Sequence, residues 1–183
     1  MSDRQQILDW IEAERDEMVA FLSGFVATPS PNPPGDTTRA VAYITDFLQR
    51  QAAPYRLVDP QPTMANVVGS VRGAQPGRHL VLNGHIDVFP VGQDPAAEGW
   101  TQDPWGGEVV DGVLYGRGSA DMKCGTSASI WTYVLLNRLR DRLKGTLTLT
   151  CVSDEETFGP WGARWLMANE PEVRGDCCLN GEP

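Results

Sequence analysis

The 183 residues are 41% hydrophobic, which is enough to bury a core, so we expect a globular protein with one domain and part of a second at most. The 24 acidic and 15 basic residues give a formal net charge of -9 without a dense Lys/Arg cluster, which argues against nucleic acid as a partner. The N-terminus has no apolar signal core and no apolar run is long enough to cross a bilayer. We therefore expect a soluble, cytoplasmic protein with no membrane partner.

Apolar residues recur at helical spacing near the N-terminus and predict a first amphipathic helix from about Ser2 to Phe25. The proline-rich loop "TPSPNPPGD" ends that helix because proline lacks a main-chain donor. A second helix is predicted over "TTRAVAYITDFLQRQ", capped by Asp36 or Thr37. Three short strands follow, in "YRLV", "NVVGSV" and "HLVLNG".

The second half of the chain continues the alternation of helices and strands. A third helix fits "TSASIWTYVLLNRLRDRL", a β-branched strand "GTLTLTCVS", a further helix "GPWGARWLMANE" and a last buried strand "DCCLNG". Four cysteines without a C-x-x-C pair are expected to be buried free thiols. The order of elements predicts an α/β fold with a mixed, largely parallel sheet flanked by helices.

Four short stretches beside predicted strands hold the candidate site residues: "GHID", "GRGSADMKCG", "SDEETFG" and "NGEP". Strand ends in α/β folds are common places for a site. His85 is either a polar residue at the surface, where a strand gives way to a turn, or a metal ligand. Asp87, two positions later, favours the ligand because ligating imidazoles usually donate their second N–H to a carboxylate. His79 has no such neighbour and is expected to be structural.

The carboxylates of the other three stretches each have a structural alternative. Asp121 is either a metal ligand or the cap of the following helix. The acids at 154–156 form either a solvated turn or helix start, or a pair that divides cation binding from proton transfer. Glu182, considered by itself, does not indicate a functional site.

In their order along the chain, "GHIDVFPVG", "PWGGEVVDGVLYGRGSADMKCG", "SDEETFG" and "NGEP" resemble the dinuclear-zinc amidohydrolase and exopeptidase family of acetylornithine deacetylase, succinyl-diaminopimelate desuccinylase, aminoacylase and glutamate carboxypeptidase. The resemblance covers nearly the whole chain and implies a zinc-exopeptidase-like catalytic domain. It also implies a cis peptide bond between Asp121 and Met122. Two neighbours of the motifs depart from the family pattern, Cys124 in place of a glycine and Phe89 in place of a valine.

The resemblance assigns a role to each candidate residue. His85 and Glu182 bind one metal ion, Asp121 bridges two ions, and Glu156 binds the second. Asp87 orients the histidine and Glu155 is the general base. The two divalent ions are expected to be zinc, with cobalt or manganese as alternatives, and they activate a water that cleaves an amide bond of an N-acyl amino acid or small peptide.

The family's last metal ligand is a late histidine, and no histidine follows His85. We therefore expect residues 1–183 to be the N-terminal part of the metal-dependent catalytic domain, without the lid or dimerisation domain and the C-terminal catalytic segment, and to be inactive alone. The resemblance implies that the full-length protein can be a homodimer. A non-catalytic ligand-binding relative of the same fold is the alternative function.

Overall fold

The computed structural model describes residues 2–183, which form five α-helices and seven β-strands. In chain order these are α1 (Asp3–Ala13), α2 (Arg15–Val26), α3 (Thr38–Arg50), β1 (Arg56–Val58), β2 (Asn66–Arg72), β3 (Gln75–His85), β4 (Val109–Val110), β5 (Val113–Leu114), α4 (Lys123–Arg138), β6 (Lys144–Val152), α5 (Ala163–Asn169) and β7 (Cys177–Asn180). Within residues 2–183, no helix is both long enough and apolar enough to cross a membrane.

The predicted first helix is divided into two at Glu14. The Glu14 carboxylate accepts two hydrogen bonds from Arg138, at 2.5 and 3.0 Å, and so ties the junction to the end of α4. Helix α1 buries no residue, whereas α2 buries Phe21, Phe25 and Val26. Only the second half of the predicted helix therefore contributes to the core.

The main sheet has the strand order β1-β2-β6-β3-β7, which confirms a mixed sheet flanked by helices. The pairings β1–β2 and β2–β6 are antiparallel, and the pairings β6–β3 and β3–β7 are parallel. The three parallel strands β6, β3 and β7 thus lie side by side and end at the same edge of the sheet. These are the three strands whose ends carry His85, the acids at 154–156 and Glu182.

The two faces of the sheet carry different apolar clusters. Val67 of β2 packs in the large cluster with α2, α3 and α4, whereas the next residue, Val68, packs in a smaller cluster with Leu166 of α5. Successive side chains of a strand point to opposite faces, so α5 covers the face opposite the other helices. The large cluster includes Phe47, whose ring centroid lies 4.4 Å from that of Phe21.

Several local predictions need correction. Strand β7 is not buried, since all four of its residues are exposed, and it forms the edge of the sheet. Of the four cysteines, all free thiols, only Cys151 is buried. The two-stranded β4–β5 hairpin was not predicted, and its strands of two residues are too short to give a sequence pattern.

Candidate metal centre

The ends of the three parallel strands bring together residues that are far apart in sequence. His85, the last residue of β3, pairs in register with Val152, the last residue of β6. The acids at 154–156 begin two positions after β6, and Glu182 likewise follows β7 by two positions. Carboxyl ends of parallel strands are where open α/β sheets place their sites, so the topology assembles the predicted residues at one edge.

Asp121 reaches the same place from the loop before α4. The peptide bond between Asp121 and Met122 is cis, as the resemblance implies. No side chain caps α4, so Asp121 is not the helix cap that was the alternative. Its Oδ1 instead lies 3.1 Å from Nε2 of His85.

His85, Asp121 and Glu182 each offer one ligand atom, and these atoms lie within 4.8 Å of one another. The His85 side chain is only 1% exposed, while those of Asp121 and Glu182 are 59% and 40% exposed. His85 does end a strand, but its burial contradicts the alternative that it is a polar residue at the surface. One buried imidazole nitrogen facing two accessible carboxylates is a donor set that zinc accepts, with water completing the coordination.

The orientation of His85 is fixed by its other ring nitrogen. Nδ1 lies 2.8 Å from the main-chain oxygen of Asp87, and since a carbonyl can only accept, Nδ1 donates this hydrogen bond. The Asp87 carboxylate was expected to make this contact, but its Oδ1 is 3.5 Å from Nδ1 and has no hydrogen-bond partner among residues 2–183. Nε2 is thereby directed at Asp121 and Glu182.

The acidic surroundings change the protonation of His85. Burial alone would lower the pKa of His85, but Asp87 and Glu182 outweigh burial and raise it to about 9. Burial would likewise raise the pKa of Asp87, yet the imidazole and the Asn32 amide lower it. Without a bound cation, His85 is therefore protonated at neutral pH, and a metal ion must displace that proton.

The two adjacent glutamates lie in different surroundings. Glu155 places Oε2 3.8 Å from Nε2 of His85. Glu156 donates its main-chain N–H to Oδ2 of Asp87, at 3.1 Å, and lies outside the three-ligand group found among residues 2–183. Burial raises the pKa of both glutamates, and Asp121 adds to this effect in each case.

Three buried polar residues around the site were not predicted. Asn32 comes from the proline-rich loop and Asp154 from the turn after β6, and both are at most 5% exposed. Lys123, fully buried, donates from Nζ to the main-chain oxygens of Phe25 and Thr28, at 2.9 and 2.7 Å. The sequence signal that could have drawn attention to Lys123 is a lysine two positions after Asp121 in an otherwise uncharged helix start.

Cys124 and Phe89, the two departures from the family pattern, are close in sequence to candidate ligands but are not themselves candidate ligands. The thiol of Cys124, partly buried, donates to the main-chain oxygen of Ala120 at 3.0 Å. The ring of Phe89 is 58% exposed. Neither side chain belongs to the three-ligand group.

The chain is similar in sequence to several known proteins. A family model described as peptidase family M20/M25/M40 matches residues 81–183, the part of the chain that contains all five proposed metal and base residues. An N-formyl-4-amino-5-aminomethyl-2-methylpyrimidine deformylase from Halalkalibacterium halodurans is 33% identical over 155 residues, which are 83% of this chain and 36% of that protein. A succinyl-diaminopimelate desuccinylase from Methylorubrum extorquens is 33% identical over 172 residues, 90% of this chain and 43% of that protein.

Among solved structures, an M20 family metallo-carboxypeptidase from Sulfolobus solfataricus has a TM-score of 0.75 at 21% identity, and the match covers 90% of this chain and 37% of that chain. At this identity the likeness shows the fold. The chain spans less than half the length of each of these three proteins.

Proposed function

Because the chain belongs to peptidase family M20/M25/M40, we propose that the protein is a metal-dependent hydrolase that cleaves an amide bond of an N-acyl amino acid or small peptide. The observation that carries this proposal is the convergence of His85, Asp121 and Glu182 within 4.8 Å at the ends of parallel strands. In this proposal, residues 1–183 are the N-terminal part of the catalytic domain.

The donor atoms fit a divalent cation. His85, Asp121 and Glu182 would hold one ion, and Asp121 with Glu156 would contribute to a second. A nitrogen ligand and carboxylate oxygens suit zinc, with cobalt and manganese as alternatives. When bound, such ions would lower the pKa of a water molecule, polarise the scissile carbonyl and stabilise the negative charge that develops on its oxygen.

Proton transfer in the proposed reaction would be carried out by a side chain of the protein. Glu155 lies beside the ligand cluster without being one of its three members, so its carboxylate is free to accept a proton. In the proposed reaction the oxygen of water attacks the amide carbon, and Glu155 takes the proton of that water. As the carbon–nitrogen bond breaks, Glu155 passes the proton to the leaving nitrogen. Asp87 would keep Nε2 of His85 directed at the cation throughout.

The relatives support the proposed substrate class. The names of the desuccinylase and the deformylase describe removal of an acyl group from nitrogen, and the matching family model is described as a peptidase family. These bonds are all amides between an acyl group and an amine. The cytoplasmic location, the homodimer of the full-length protein, and the lack of nucleic-acid or membrane partners stay predictions.

The proposal is tested by assaying the complete protein, stripped with a chelator and reloaded with zinc, cobalt or manganese, against N-acetyl, N-succinyl, N-formyl and N-carbamoyl amino acids and dipeptides. We expect metal-dependent release of amine that is abolished in His85→Ala. His79→Ala is the matched control, because His79 is the only other histidine in residues 1–183 and contacts Thr148 instead of the cluster. Metal binding without turnover of any substrate would identify a non-catalytic relative.

A further inference from the structure

Asn32 lies where the loop between α2 and α3 runs alongside the segment that follows β3. Its main-chain N–H donates to the oxygen of Val88 at 2.9 Å, and Val88 donates back to Ser30 at 3.0 Å. The hydroxyl of Ser30 donates to the main-chain oxygen of Ile86 at 2.6 Å. These three hydrogen bonds fix the main chain of Asn32 beside Asp87.

The side chain of Asn32 joins two buried carboxylates. Its Nδ2 donates to Oδ2 of Asp87 at 2.9 Å and to Oδ1 of Asp154 at 3.1 Å. An amide nitrogen has two protons, so both are used. Asn32, Asp87 and Asp154 are 3%, 0% and 5% exposed, and water therefore does not compete for these bonds. An aspartate at position 32 would offer no donor and would add a third buried carboxylate.

The two carboxylates that accept hydrogen bonds from Asn32 also accept hydrogen bonds from the turn that contains Glu155 and Glu156. Asp154 accepts from Thr157 Oγ1 at 2.8 Å and from the main-chain N–H of Trp161 at 3.0 Å. Asp87 accepts from the main-chain N–H of Glu156 at 3.1 Å. Glu155 lies between the two anchored positions, 154 and 156, so its main chain is fixed from both sides.

Asp87 connects this turn to the histidine as well. Its main-chain oxygen accepts from Nδ1 of His85, while its carboxylate accepts from Asn32 and Glu156. The histidine at the end of β3 and the glutamates after β6 are therefore linked through Asp87 and Asp154. Within residues 2–183, Asn32 is the one side chain that bonds to both of these carboxylates.

We propose that Asn32 is a positioning residue, whose amide holds the histidine segment and the glutamate turn in one arrangement and so sets the spacing of the metal centre. The part of this inference that concerns metal rests on the proposed function. The part that concerns the turn does not, because the hydrogen bonds exist without a cation.

The test uses Asn32→Leu, which keeps the branched shape and the number of side-chain heavy atoms and removes both donors, and Asn32→Ser, which keeps one shorter donor. Asn137→Leu is the matched control, because Asn137 is an equally buried asparagine (4% exposed) on α4 whose amide donates to Ala52. Two quantities are measured: hydrogen exchange of residues 154–161 in metal-free protein, and the zinc dissociation constant by competition with a chromophoric chelator. Thermal melting shows whether each variant folds.

We expect exchange in residues 154–161 to be about five- to tenfold faster in the Asn32 variants than in Asn137→Leu. The zinc dissociation constant should rise about 10- to 100-fold in Asn32→Leu, less in Asn32→Ser, and stay unchanged in the control. Unchanged exchange together with a dissociation constant within twofold of the parent would overturn the proposal, as would failure of both Asn32 variants to fold. If the parent bound no zinc, the metal site would be disproved, and the exchange comparison would still decide the role of Asn32.

Discussion

Gly125 in the first turn of α4 packs directly against the main chain of Gly181, so that a Cβ on Gly125 would overlap the carbonyl oxygen of Gly181. Glu182 follows Gly181 immediately. The approach of these two glycines therefore sets the distance between the start of α4, which Asp121 precedes by two residues, and the segment that carries Glu182.

Gly125→Ala should push the segment 181–182 away from α4 and move Glu182 out of reach of the other two ligands. We expect a zinc affinity about 10- to 100-fold weaker, as when ligand-supporting groups are lost, with the protein still folded. Cys124→Ala is the matched control, because it changes the adjacent position of the same turn without adding an atom. Equal zinc affinity for parent and Gly125→Ala, measured by chelator competition, would show that Glu182 is not needed for binding.

Replacing the two adjacent glutamates one at a time separates the proposed base from the proposed ligand. In the complete protein, Glu155→Gln should retain its metal and lose about 10²- to 10⁴-fold in turnover, because the amide keeps the shape but cannot accept a proton. Glu156→Gln should instead lower the metal content. The measurements are kcat on the best substrate and metal per chain by elemental analysis. Full metal in both variants, with only Glu156→Gln inactive, would mean that the two roles are reversed.

The sequence predicted the location of the site because its signals are local. A run of apolar residues that stops at His85 marks the end of a strand, and the acids after Val152 mark another. Since parallel strands end at a common edge, these two patterns and the resemblance together were sufficient to bring His85, Asp121 and Glu182 into one group.

The features that were missed depend on contacts between distant residues. Asn32 bonds to carboxylates 55 and 122 positions away, and nothing in the loop "SPNPPG" distinguishes that amide from an ordinary turn residue. The division of the first helix falls at Glu14, whose partner Arg138 is 124 positions away. Hydrophobic periodicity reports which face of an element is buried, and it does not report which polar side chain will meet another across the fold.

The buried Lys123 should contribute strongly to stability. Lys123→Ala leaves a cavity and two main-chain oxygens, those of Phe25 and Thr28, without their donor, so we expect a loss of about 2–5 kcal/mol in the free energy of unfolding. The only other lysine, Lys144, is exposed at the start of β6, and Lys144→Ala should change stability by less than about 0.5 kcal/mol. Urea denaturation measures both. Similar losses in the two variants would contradict this role of Lys123.

Zinc binding should depend on pH because a proton on His85 competes with the metal. The pKa of His85 is raised to about 9, so the imidazole is protonated below that pH and zinc must displace the proton. We expect zinc affinity to rise up to about tenfold per pH unit from pH 6.5 to 9 and then to level off. Calorimetry at pH 7.5 in two buffers of different ionisation enthalpy should show about one proton released per zinc ion. An affinity that is flat across this range would mean that Nε2 is not a ligand.

The stoichiometry of metal binding tests the arrangement of ligands in the 183-residue chain. Among residues 2–183, only His85, Asp121 and Glu182 form a group of three possible ligands, and a histidine, two carboxylates and a water can complete a tetrahedral zinc site. A second ion would share Asp121 with Glu156 and would have no imidazole of its own, because His79 lies six residues before His85 on β3, about 20 Å away, and contacts Thr148.

We therefore expect one tightly held zinc ion per 183-residue chain, measured by elemental analysis after gel filtration. A second ion should be weakly held, because two carboxylates without an imidazole bind zinc poorly. His85→Ala should abolish tight binding and His79→Ala should preserve it. Hydrolysis of N-acyl amino acids by this chain should not exceed that of its Glu155→Gln variant. Two tightly held ions, or turnover above that variant, would show that residues 1–183 contain a complete dinuclear site.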